Sequence, residues 1–202
     1  MICSVVTTMI FAAPPGTLVD RVIAVVDKEV ITHSELLREA RIALVLRSGE
    51  EAAAADLPDE FLNDYLEKAL VDQLVIAAQA RRLGGIDVSE DEVDRMVERF
   101  SQKFRSLAAY QAFLRRFDIS TSALRDVLRR DIRASRHIEQ RMSNWRTGRE
   151  AEQLTEEYKE QYAEALMRWV AELKMGVELR VLSENGELEL RRLGRPGDLS
   201  GG

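Results

Sequence analysis

The chain has 202 residues, of which 46% are hydrophobic, 32% charged and only 6% aromatic, and its net charge is −6. That length can bury one sizeable core, the aromatic share is thin for a β-sandwich, and the acidic balance counts against a protein that coats nucleic acid. A single cysteine, Cys3, and two histidines, His33 and His137, exclude an intrachain disulfide and most metal sites.

The first sixteen residues, MICSVVTTMIFAAPPG, contain an apolar stretch too short for a bilayer span but suited to a signal-peptide core. No Lys or Arg precedes it. Residues 1–16 therefore read as the remnant of an export signal, or as an apolar disordered tail or short extra strand. Val22–Val26 is a run of mostly β-branched residues between charges, which predicts a strand buried on both faces. Asp27-Lys28-Glu29 turns the chain and Val30-Ile31 begins the return. Thr32 and Glu35 then have capping-box spacing, with Ile31 and Leu36 at the hydrophobic-staple positions. The first helix follows to about Arg47, through Leu36, Leu37, Ala40, Ala43 and Leu44. Ser48-Gly49 ends it and EEAAAAD reads as a partly helical connection.

Pro58 opens a long second helix, the most apolar in the chain and so the one expected at the centre. Gly84-Gly85 stops it. Ser89 and Glu92 repeat the capping box at the head of a third helix that carries Val93, Met96, Val97, Phe100 and Phe104. A fourth helix is expected over 107–117, and a fifth from Ser120 to about Met142. The polar segment 143–154 reads as a loop or break, and a sixth helix runs to about Met175 with Tyr158, Tyr162, Leu166, Trp169 and Leu173 on one face. The period then changes to two. Val177, Leu179 and Val181 alternate with charges, Asn185-Gly186 is a strong hairpin signal, and Leu188 and Leu190 return. Residues 194–202 read as a disordered tail. Isolated hairpins are marginal in water, so the two at opposite ends of the chain are expected to pair as one small sheet.

The sequence holds no serine-nucleophile elbow, zinc-protease pair, phosphate-binding glycine loop or dinucleotide fingerprint. No catalytic residue, metal ligand or cofactor is assigned. His33, in a first helical turn, has no base-orienting neighbour in sequence, and His137 lies among arginines, which suits an exposed or half-buried structural role. The acids from Asp87 to Asp94 complement a helix start. Between 121 and 149, eight arginines outnumber three acids, yet Arg130 can pair with neighbouring acidic helices and a glutamate-rich segment follows. Balanced helix faces explain this better than a nucleic-acid contact. Met96, Phe100, Phe104, Tyr110, Phe113 and Phe117 gather on the third and fourth helices, with Met142 and Trp145 near the break. Core packing accounts for at least half of such residues. The functional reading makes these eight an adaptable client-binding groove, because Met and aromatic side chains repack around varied partners.

Four stretches together resemble the SurA-type periplasmic chaperones. They are VDRVIAVVDKEVITHSEL, EKALVDQLVIAAQARRLGGIDVSEDEVDRMV, FLRRFDISTSALRDVLRRDIRASRHIEQRM and AEALMRWVAELKMGVELRVL. The resemblance implies a mainly α fold, an approximately six-helix peptide-binding module of the trigger factor/SurA type, with a small sheet from the N- and C-terminal strands. Residues 17–193 would form a single domain, made of strands and helices over 17–142, a connection over 143–154 and a closing helix and hairpin over 155–193. In most of this family, prolyl isomerase domains of the parvulin type stand between the fifth and the closing helix. Here about a dozen residues separate Met142 from Thr155, so the resemblance implies the chaperone module without isomerase activity. Its expected partners are unfolded or extended polypeptides, outer-membrane proteins among them, held without ATP in the periplasm. No nucleic acid and no stable membrane span of the mature protein are expected. A helical adaptor that recognises one folded partner is the alternative.

Overall fold

The computed structural model describes residues 20–146, 155–183 and 186–192. The readings of residues 1–16, of 147–154, of Asn185 and of the tail 194–202 lie outside these. β1 (Val22–Val26) and β2 (Glu29–Thr32) form the opening hairpin, and β3 (Glu178–Leu182) and β4 (Leu188–Arg192) the closing one. All four join in one antiparallel sheet of order β2-β1-β3-β4. The two ends of the chain meet where Ala24 pairs with Val181, Val25 with Arg180 and Val26 with Leu179. Asp27 seals the junction: its N–H donates to the Glu178 carbonyl at 2.8 Å, and its carboxylate accepts from the Glu178 N–H at 3.0 Å. Asp27 adopts φ 54°, a left-handed turn conformation that a short Asp side chain tolerates.

The expectation that β1 is buried on both faces needs correction. The register slips between Val22 and Ala24, which makes Ile23 a bulge residue on β1. Consecutive residues Ile23 and Ala24 are thereby both buried, whereas Val22 is exposed and Val25 only half-buried. A bulge re-aims side chains in this way. One face of the sheet covers the core. The other carries Val25, Val30, Leu182, Leu188 and Leu190, none of them buried.

Both capping boxes form. In α1 (His33–Ser48), the Glu35 N–H donates to the Thr32 hydroxyl and the Thr32 N–H to the Glu35 carboxylate at 2.8 Å. In α5 (Glu90–Ser101), Ser89 and Glu92 repeat the exchange. The connection after Gly49 includes a short α2 (Glu50–Ala54). The long second helix is present but compound. α3 (Asp59–Tyr65) leads into a π-helical turn, Leu66–Leu70, and then α4 (Val71–Leu83). The wider turn lets adjacent Leu70 and Val71 both be buried. α6 (Leu107–Arg116) follows, then α7 (Thr121–Arg146), which extends beyond the expected end at Met142, and α8 (Glu156–Lys174).

Three hydrophobic clusters are linked by three helices. The first lies under the sheet and includes Leu36, Ala40, Leu62, Leu66, Leu70, Val71 and Leu179. The second gathers Ile42, Val45, Phe100, Phe113, Leu124 and Leu128. In the third, Ile76 and Ala77 meet Ala134, Trp169 and Val170. Thus α1 joins the first cluster to the second, α4 the first to the third, and α7 the second to the third. Each fully buried Leu or Ile contributes about 1.5–3 kcal/mol relative to an exposed one.

Candidate functional site

The aromatic residues singled out in the sequence form a continuous ladder, because the turn at 102–106 folds α6 back against α5. Phe100 meets Phe104 with ring centroids 5.6 Å apart, Phe104 meets Tyr110 at 5.6 Å and Phe113 at 5.1 Å, and Phe113 meets Phe117 at 4.8 Å. Such tilted pairs add about 0.5–1.5 kcal/mol beyond area burial. The ladder has a buried side and an accessible side. Phe100, Phe104 and Phe113 are buried, whereas Met96, Tyr110 and Phe117 are half-buried. Leu107, which the sequence did not single out, stands 67% exposed at the start of α6 beside them in sequence. Its signal was available: Leu107 stands three residues before Tyr110 and seven before Leu114, the helix spacing that puts all three on one face. At the far end, the Arg41 guanidinium lies 3.8 Å from the Phe117 ring centre while donating to the carbonyls of Ala53 and Ala55. That single side chain ties α1, α2 and the end of α6 together.

Met142 and Trp145 do not join this ladder. Met142 is buried on α7, and half-buried Trp145 meets Tyr158 of α8 edge-on at 6.3 Å. His137 also differs from its expected exposure. It is buried beside Trp169 at 5.4 Å, because α8 covers that face of α7. Burial, with the Arg141 charge, pushes its pKa down.

Four arginines of α7, Arg125, Arg129, Arg130 and Arg136, pair with carboxylates on other helices. Arg125 pairs with Glu90 at 2.7 Å and with Asp94, Arg129 pairs with Glu90 at 2.7 Å, and Arg136 pairs with Glu92 and donates to the Asp87 carbonyl at 2.7 Å. The acidic start of α5 is thus the counterpart of the basic face of α7. Among the described residues, no group of His, Cys, Asp or Glu is placed to hold a metal.

Arg130 turns elsewhere and pairs with Glu39 of α1. The pair forms part of the wall of a cleft of about 210 Å³ between β2, α1, the π-helical turn, α4 and α7, with Val30, Leu74 and Val127 as apolar lining. Burial pushes the Glu39 carboxyl above the ordinary carboxylate range, against the pull of Arg130. Across the same region, burial also raises Asp131, whose carboxylate accepts from Gln73 at 2.9 Å. Within the sequence, Glu39 beside Ala40 on an otherwise apolar stripe was the one sign of this charge.

The SurA N-terminal domain family matches residues 19–137. Curated relatives include Chaperone SurA of Cupriavidus metallidurans, 32% identical over 126 residues that make up 61% of this chain and 24% of the relative. Chaperone SurA of Chromobacterium violaceum is 31% identical over 141 residues, 67% of this chain and 32% of the relative. That of Pseudomonas aeruginosa is 30% identical over 140 residues, 66% and 31% respectively. The matched regions thus span about a quarter to a third of the length of these relatives.

Proposed function

The chain belongs to the SurA N-terminal domain family, and from that premise we propose that it is an ATP-independent chaperone module that binds unfolded or extended polypeptides, outer-membrane proteins among them, in the periplasm. The observation that carries this reading is the match of residues 19–137 to a family whose curated relatives bear the name Chaperone SurA. The client surface is the accessible side of the aromatic ladder, Met96, Tyr110 and Phe117 with Leu107. The buried members, Phe100, Phe104 and Phe113, hold it rigid from behind. An apolar, polarisable surface of this kind binds many sequences weakly. A chaperone that stabilises its client by mass action needs no nucleotide.

Residues 17–193 act as one unit in this reading, because the strands that open and close it share a sheet. The module binds without isomerising prolines. Only residues 147–155 separate α7 from α8, where a domain would have to be inserted, and nine residues are far too few to build one. No helix among the described residues is long and apolar enough to cross a membrane.

Binding of fluorescent peptides to the full chain tests the proposal. Broad, weak binding of aromatic-rich extended peptides is expected. Silence toward all of them, together with tight capture of one folded protein, would replace the chaperone with an adaptor.

A further inference from the structure

The sheet ends on β4, which has β3 on one side and, among the described residues, no strand on the other. The Ser183 N–H donates to the Glu187 carbonyl at 2.8 Å, which fixes the phase of the ladder. Bonded and non-bonded pairs alternate in an antiparallel ladder. Glu189 and Arg191 therefore turn their backbone N–H and C=O toward Val181 and Leu179, whereas Leu188, Leu190 and Arg192 turn theirs to the open edge. Among the described residues, no group bonds to that side of Leu188 or Leu190. The β2 edge differs, since the Thr32 N–H there already donates to Glu35. Two common guards of an edge are missing from β4: it contains no proline, and its register against β3 runs without a bulge from Glu178 opposite Arg192 to Leu182 opposite Leu188. Leu188 and Leu190, on the outer face beside Leu182, are 41% and 56% exposed.

The charges of β4 select what this edge can pair with. Its sequence, Leu188-Glu189-Leu190-Arg191-Arg192, is complementary to itself in one antiparallel register. A two-fold axis through Leu190 sets that residue opposite its own copy, where the two exchange their outward N–H and C=O groups, and Leu188 bonds in the same way with Arg192 of the other copy. Glu189 of each copy then stands opposite Arg191 of the other, in the non-bonded positions where side chains come closest. Moving the axis by one residue sets Glu189 against Glu189, or Arg191 against Arg191. Moving it to Leu188 sets Glu189 against Glu187. Like charges directly opposite destabilise a strand pair, so only the register centred on Leu190 is complementary. On the outer face the same register brings Leu190 against Leu190, which withdraws the more exposed of the two leucines from water.

We propose that β4 pairs with β4 of a second copy of this chain, antiparallel and centred on Leu190, so that two four-stranded sheets become one of eight strands. An interface of one short strand from each copy makes a weak dimer that depends on concentration. The contact uses none of the residues of the aromatic ladder and does not depend on the client-binding reading. It would carry two ladders on one particle, so that an extended chain reaching both is held more tightly than by either alone.

Sedimentation velocity of the full chain over a range of concentrations tests the proposal. The chain should be mostly monomer at about 5 μM and mostly dimer at about 500 μM, with amide hydrogen exchange at Leu188 and Leu190 slowing as the dimer forms. Glu189→Arg sets arginine against arginine across the axis, and Arg191→Glu sets glutamate against glutamate. Each variant alone should dimerise about tenfold or more weakly than the parent. Mixed in equal amounts, the two variants restore both opposite-charge pairs and should associate as the parent does, which also shows that both are folded. Monomer throughout the range, a dimer that neither variant weakens, or a mixture that regains nothing overturns the proposal. Exchange at Leu188 and Leu190 that slows only when an unfolded client is added to monomeric chain overturns it in favour of a client strand at this edge.

Discussion

Arg130 on α7 reaches Glu39 on α1, and the two side chains retain only 14% and 12% of their exposure. A pair so deeply withdrawn from water gains little over an apolar pair of the same shape, but breaking it leaves a buried charge uncompensated. Glu39→Leu or Arg130→Met alone should therefore cost about 3–5 kcal/mol in urea denaturation, and the double variant should recover most of that loss. Additive losses would show that the charges are hydrated and independent.

The junction of the chain's ends rests on Leu179, which is fully buried beneath β1 and β3 in the cluster with Leu36 and Leu66. Leu179→Ala should lower stability by about 2–5 kcal/mol by chemical denaturation. Leu190→Ala, in the same hairpin but exposed, should change it by no more than about 0.5 kcal/mol.

This junction was legible in the sequence, since VIAVV and VELRV are β-like runs that neither end can satisfy alone. Both capping boxes were legible too, because their chemistry is local: a hydroxyl and a carboxylate three residues apart. The bulge at Ile23 was not, since only the register against β2 reveals it. Nor was the π-helical turn, because LEKAL suits either helix type and the choice is made by packing both Leu70 and Val71. Among the aromatic residues, spacing placed Phe100 and Phe117 in one group, while the fold-back at 102–106 decides which of them is buried. His137 was misread for a similar reason, its cover being Trp169 from a helix beyond the next connection.

That burial gives His137 a pH signature. Its folded-state pKa lies below the unfolded value, so its contribution is fully present above about pH 6.5 and declines as the pH falls through that value toward the folded pKa, because the unfolded chain takes up the proton first. Glu39 and Asp131 act in the opposite sense, their raised pKa values favouring the folded state at lower pH. The difference between the parent and His137→Gln isolates the histidine. The parent's stability relative to the variant's should fall as the pH drops from about 7 to 5. Identical slopes would place His137 in water.

The ladder predicts a separation of stability from binding. Phe100→Ala should cost about 3–5 kcal/mol of stability, since that ring is fully buried. Leu107→Ser with Tyr110→Ser should leave the circular dichroism spectrum nearly unchanged while weakening binding of aromatic-rich peptides about tenfold. Unweakened binding would move the client surface elsewhere.

The central claim is that this chain holds unfolded polypeptides without a nucleotide. Light scattering of a urea-denatured outer-membrane β-barrel protein, diluted into buffer with and without the purified chain, tests it most directly. The account predicts that aggregation falls in proportion to added chain, without ATP, and that Leu107→Ser with Tyr110→Ser blunts the effect. Scattering unchanged at a several-fold molar excess of folded chain would contradict it.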